Sequence, residues 1–165
     1  MSHAFEVRPE EAGDLSAIRA VHLEAFPSAG EAGLVEALRA DGSAVFSLVA
    51  AIDGAVVGHV MFSRMSRPAG ALGLAPVAVL SANRRKGIAA ALIREGLSRA
   101  KAAGWWGVFV LGDERYYGRF GFDPSIAAKF ESRYAGPHLM GLSLQHDSDI
   151  GEGALEYAPA FAALG

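Results

Sequence analysis

Apolar and polar positions along this chain change period several times, and each change marks an element. Leu15, Ile18, Val21, His22 and Ala25 recur at helical spacing behind Asp14, a residue able to cap, and Pro27 ends the run. Glu31 to Arg39 repeats the pattern with Leu34, Val35 and Leu38 inward. The period then shortens. Val45 to Ile52 and Val56 to Ser63 are rich in strand formers and are split by Asp53-Gly54, a hairpin signal, with Phe5 to Arg8 a shorter strand ahead of them. Leu72 to Leu80 reads as a fourth strand, distorted at Pro76, which has no N–H for the ladder.

From Gly87 to Ala103 the helical period returns. Ile88, Leu92, Ile93, Leu97 and Ala100 form an apolar stripe, Arg94, Ser98 and Lys101 a wet face, and Gly104 a C-terminal stop. Val108 to Leu111 is a short buried strand, and Gly136 to Leu144 and Ala154 to Tyr157 read as two closing strands. Helices and strands in this order predict an α/β protein with a mixed sheet, and 165 residues suit one domain spanning 1–165.

Composition narrows the function. An apolar content of 52% with 20% charged residues is that of a globular chain with a substantial core. A net charge of −3 argues against a general nucleic-acid surface, while still allowing a local phosphate site. No apolar run reaches the ~18 residues of a membrane span, and the first residues lack a signal-peptide pattern, so a cytoplasmic protein without a membrane partner is expected. There is no cysteine, which excludes disulfides, thiolate metal sites and an acyl-cysteine intermediate. The five histidines show no pair at metal spacing, and no metal is expected.

The sharpest chemistry lies between the fourth strand and the long helix. Arg84-Arg85-Lys86-Gly87 is a basic turn that runs straight into a helix start. Such a start leaves backbone N–H groups without partners, has the positive end of the helix dipole behind it, and suits a phosphate or pyrophosphate. A Walker loop is excluded, because Lys86 precedes its glycine and no hydroxyl follows; a Rossmann fingerprint is excluded by the lone glycine. What remains is Arg-x-x-Gly-x-Ala, Arg84 to Ala89. Thirty-four residues after Gly87, Gly121 falls in Tyr116-Tyr117-Gly-Arg-Phe-Gly121-Phe122.

The hexapeptide resembles the coenzyme-A pyrophosphate loop of the GNAT superfamily of N-acetyltransferases, and the second stretch resembles the family's Tyr four residues before a Gly-Phe. The order strand, basic turn, helix, strand, Tyr helix and Gly-Phe extends the resemblance loosely over nearly the whole chain. It implies the GNAT fold, a mixed, mostly antiparallel central sheet flanked by helices. It also implies an acetyl-CoA-dependent enzyme that transfers acetyl directly to a primary amine of a small molecule or peptide; a homodimer is left open. The backbone of Val77, Ala78 and Val79 would then pair with the pantetheine arm, and Arg84, Arg85, Lys86, Gly87, Ile88, Ala89 and Ala90 would cradle the pyrophosphate, Arg84 with a structural share.

Tyr117 would contact the cofactor and act as general acid, since a phenol with a pKa near ~10 is a neutral donor at pH 7; Tyr116 is the second choice. The chain departs from the family in carrying Val110 where many members have an Asn that holds the arm. For the general base, His59, Glu31, Glu36, Asp113 and water stand side by side; Asp147 and Asp149 fall in a loop-like stretch and are set aside. A CoA-binding module without turnover is the competing reading, followed by an unrelated phosphate-binding enzyme. The acceptor amine has no sequence code.

Overall fold

A computed structural model describes residues 4–145 and 151–164, which leaves Asp147 and Asp149 outside. β1 (Glu6–Pro9), α1 (Leu15–Ala25) and α2 (Gly30–Ala40) lead into β2 (Ala44–Ile52), β3 (Ala55–Arg64) and β4 (Ala71–Val79). α3 (Ile88–Ala102) and β5 (Gly107–Leu111) follow. Then come two single-turn helices, α4 (Glu114–Tyr117) and α5 (Pro124–Ala127), and the strands β6 (Phe130–Glu131), β7 (Leu139–Ser143) and β8 (Gly153–Ala154).

Six strands form one sheet in the order β1-β2-β3-β4-β5-β7, antiparallel throughout except at β4 and β5. A parallel pair needs a crossover, and α3 supplies it. This is the mixed, mostly antiparallel sheet flanked by helices that the sequence led us to expect. Only three residue pairs join β4 to β5, from Ala71–Gly107 to Gly73–Phe109. From Leu74 to Val79 the edge of β4 on that side has no strand partner among the described residues. The other edge also breaks register: the β3–β4 pairing jumps between Val60–Val77 and Phe62–Leu74, around Pro76. A residue without an N–H interrupts the ladder there, as expected.

Apolar side chains pack on both faces of the sheet. On one, Leu48, Val60, Phe62, Leu72 and Val108 meet Leu92 and Ile93 of α3. On the other, Val49 and Met61 meet Ile18 of α1, Leu34, Val35 and Leu38 of α2, and Phe161 of the C-terminal turn. α3 comes so close to the sheet that a β-carbon on Gly96 would lie 2.0 Å from the Phe62 ring.

Three local expectations are corrected. Asp14 does not cap α1; its buried carboxylate accepts from Arg8 at 2.7 and 3.1 Å and from the Glu11 N–H at 2.7 Å, closing the turn before the helix. Hydrogen bonding from Arg8 holds that carboxyl below the usual range against the opposing effect of burial. Leu15, at the first position of α1, is 42% exposed instead of inward. The last expected strand is shorter and elsewhere: β8 pairs in parallel with β6, outside the main sheet, and Glu156 makes a lone bridge to Arg67.

Candidate active site

Where the β4–β5 pairing stops, a cleft of 500 Å³ opens between β4, the start of α3 and α4. Val77, Ala78 and Val79 form its strand wall, and Arg84, Arg85, Gly87, Ile88, Ala89 and Ala90 line its basic end. Backbone geometry explains that end. Arg85 (φ 65°) and Gly87 (φ 77°) both lie in the left-handed region, which turns the chain sharply into α3. Gly87 is the N-cap and no side chain caps the helix, so the first-turn N–H groups remain for an anion. Glycine takes the positive φ here without strain, and since a β-carbon would meet nothing within 4 Å, conformation and not crowding favours it. Arg84 donates from Nε to the Val79 carbonyl at 3.3 Å, tying the turn to the end of β4. Lys86 is exposed and does not line the cleft.

The aromatic side of the cleft differs from the expectation in one respect. Tyr116 and Arg119 line it, together with Ala25 and Phe26 at the end of α1. Tyr117 stands just behind, edge-on to Tyr116 (5.1 Å between centroids) and to Phe122 (5.9 Å). Its ring lies against Gly112, where a β-carbon would come within 2.3 Å. Burial, with Tyr116 adding to it, pushes the Tyr117 phenol up to about 12. The Tyr157 phenol is raised by burial first, then by Tyr134 and Tyr117, so Tyr117 and Tyr157 lie within electrostatic reach of each other. Tyr157 rests on Gly73 of β4, with a would-be β-carbon 2.7 Å from its ring. Gly73 within β4 and Gly112 just past β5 thus each leave room for one tyrosine ring. An isolated glycine inside a strand pattern is the signal that points to Gly73; Tyr116 and Arg119 share a face only because α4 continues through Gly118–Phe120 as a tighter turn.

Val110, in the position of the absent Asn, is fully buried and offers this side nothing polar. Among the candidate bases, Asp113 caps α4 by accepting from the Arg115 N–H at 2.8 Å, and Glu36 pairs with Arg19 at 2.8 Å. Glu31 is half-buried in the first turn of α2. None of these carboxylates lines the cleft.

His59 is fully buried and belongs to a polar chain that the sequence did not reveal. Arg39 grips Glu10 with two hydrogen bonds of 2.9 and 2.8 Å, and the Ser47 hydroxyl donates to the same carboxylate. Ser47 also contacts His59 Nε2 at 2.7 Å, and His59 Nδ1 meets His22 Nε2 at 2.8 Å. A carboxylate only accepts, so the direction propagates. Ser47 gives its proton to Glu10 and accepts from His59 Nε2–H; His59 Nδ1 then accepts from His22 Nε2–H. His22 Nδ1 is therefore a lone pair, and it is buried without a partner. Burial lowers His22 to about 4, with Arg39 adding to it, and holds His59 well below its ordinary value. Both rings are neutral at pH 7.

Among the described residues no group of His, Asp and Glu is arranged to hold a metal ion, and no helix is long and apolar enough to cross a membrane. A model of the acetyltransferase (GNAT) family matches residues 15–122. The uncharacterized N-acetyltransferase YjhQ of Escherichia coli (strain K12) is 38% identical over 135 residues, covering 77% of this chain and 74% of that protein. The crystal structure of the GNAT family N-acetyltransferase YhbS from Escherichia coli in complex with CoA superposes with a TM-score of 0.92 at 32% identity, over 100% of this chain and 96% of that one. A GNAT family acetyltransferase from Brucella melitensis in complex with acetyl-CoA gives a TM-score of 0.81 at 35% identity, over 97% and 99% of the two chains. With a family match over most of its length, and a sheet that opens beside an uncapped helix start, this chain belongs to the GNAT family of acetyltransferases.

Proposed function

We propose that this GNAT N-acetyltransferase binds acetyl-CoA in the β4–α3 cleft and transfers the acetyl group directly to a primary amine, with Tyr117 as general acid. The observation that carries the reading is the continuity of two surfaces: the unpaired edge of β4 and the uncapped N-terminus of α3 line one cleft. The edge can pair with the amides of an extended arm, as an added strand would. The helix start, with Arg85 and Arg119 beside it, suits the pyrophosphate.

Acetyl-CoA supplies the thioester carbon and the leaving thiolate. A C–N bond forms as the C–S bond breaks; the sulfur takes a proton from Tyr117, and the proton released by the nitrogen returns through water to the phenolate. A β4 N–H stabilises charge on the carbonyl oxygen. Desolvation makes the Tyr117 phenol a weaker acid, but a thiolate expelled into the same desolvated space becomes a stronger base, so the two shifts offset each other.

The test separates charge from backbone strain. Acetyl-CoA at 100 times its Kd stabilises the folded state by about 2.7 kcal/mol, which appears as a rise in Tm. Gly87→Asp places a carboxylate among the phosphates and abolishes the rise. Gly87→Asn, with similar shape and the same positive φ, keeps most of it. Equal shifts for both variants and the parent would remove the loop from the cofactor site.

A further inference from the structure

A second cavity lies beyond the cofactor cleft at the same opening of the sheet. Its volume is 230 Å³, and its walls are Leu74 and Ala75 of β4, Leu111 at the end of β5, and Tyr134, Tyr157, Phe161 and Leu164. Pro76 alone separates Ala75 from the Val77–Val79 edge that lines the cleft, so neighbouring residues of one strand line the two spaces. Tyr157 stands at this junction with its ring against Gly73 of β4. Among the described residues no charged side chain lines the cavity. Charge begins only in the wider groove outside it, with Glu131, Arg133 and Glu156.

These walls select by chemistry. Tyr134 and Tyr157 meet edge-on at 5.6 Å, and Phe161 leans on Tyr157 at 4.9 Å, offering aromatic surface to an aryl or branched alkyl group. A cavity of about 150 Å³ with comparable walls holds benzene, so the volume here admits one ring with a short chain. Aromatic faces attract a single ammonium as it enters. Loss of water then favours its neutral form, which is the nucleophile. A second ammonium on the same body would be buried without a counter-charge.

We propose that the acceptor is a primary amine on a compact, uncharged arylalkyl or branched-alkyl body, seated in this cavity with its nitrogen toward the β4 edge. The assignment rests on the acetyltransferase reading above and concerns only the acceptor. It is tested by following release of the CoA thiol from acetyl-CoA with phenethylamine, isopentylamine, spermidine and the peptide Phe-Gly-Gly amide. The apolar amines are expected to exceed spermidine at least tenfold in kcat/KM, and free phenethylamine to exceed the peptide. Leu111→Asp changes a wall residue that is 41% exposed, so the fold tolerates it. It should cut phenethylamine turnover tenfold or more and narrow the gap to spermidine, while the Tm rise with acetyl-CoA stays unchanged. Spermidine or the peptide as the better substrate overturns the proposal. So does an unaltered preference in Leu111→Asp, or acetyl-CoA binding with no turnover of either apolar amine. Failure of acetyl-CoA to raise the Tm at all overturns the acetyltransferase reading instead.

Discussion

At the scale of a single residue, the proposed general acid Tyr117 is the sharpest test of the site. Its ring is held between Gly112, Phe122 and Tyr116, and its hydroxyl is raised by burial. Tyr117→Phe keeps the ring and its packing and removes only the proton donor, so kcat should fall by ~10²–10⁴-fold with acetyl-CoA affinity and Tm nearly unchanged. Tyr116→Phe is the telling control, because Tyr116 is the tyrosine that lines the cleft. It should be mild. A large loss in Tyr116→Phe with a mild one in Tyr117→Phe would transfer the acid role to Tyr116; steady-state kinetics with a saturating amine reads the difference.

At the scale of elements, α3 has two demands on one sequence. Its first turn must stay uncapped and open, and its body must press against the sheet. Gly96 serves the second. Replacing a helical glycine by alanine ordinarily gains up to ~1 kcal/mol. Here the new methyl would stand 2.0 Å from Phe62, which is fully buried and cannot swing away. Overpacking of this kind costs about 1–3 kcal/mol or more, so the clash outweighs the propensity. Gly96→Ala should therefore lower the Tm by several degrees in a thermal melt; a rise would mean that α3 slides freely on the sheet.

At the scale of the whole molecule, the Arg39–Glu10–Ser47–His59–His22 chain ties α2, the end of β1, β2, β3 and α1 into one buried polar network. It makes stability depend on pH in a definite direction. The folded histidines titrate below the unfolded value of about 6.5, His22 at about 4. Above pH 6.5 neither state binds the proton and nothing is lost. Between pH 6.5 and 4 the unfolded chain takes a proton at His22 that the folded one refuses, so stability falls by about 1.4 kcal/mol per pH unit from this ring, and His59 acts in the same direction. Urea midpoints measured from pH 7.5 to 4.5 should decline below pH 6.5. A flat profile would show that the pair accepts protons without unfolding.

Much of this protein is legible from neighbours in the chain. The apolar periods located the three long helices and the central strands to within a residue or two, because a helix or strand buries whatever its own repeat aligns. The basic turn with its single glycine marked the helix start, because positive φ and an uncapped first turn are local properties. The two-residue strands β6 and β8 escaped, since each exists only through the other and neither carries a pattern of its own. Asp14 was misread because its partner is Arg8 across a turn, not the helix ahead of it. Sequence alone thus determined the long elements, the family and the basic turn at the start of α3. The sheet decided the rest: where β4 leaves β5, which tyrosine lines the cleft and which stands behind it, and that Gly73 and Gly112 seat Tyr157 and Tyr117 on either side of the opening. Those residues are far apart in the chain, and only the register of the strands brings them together.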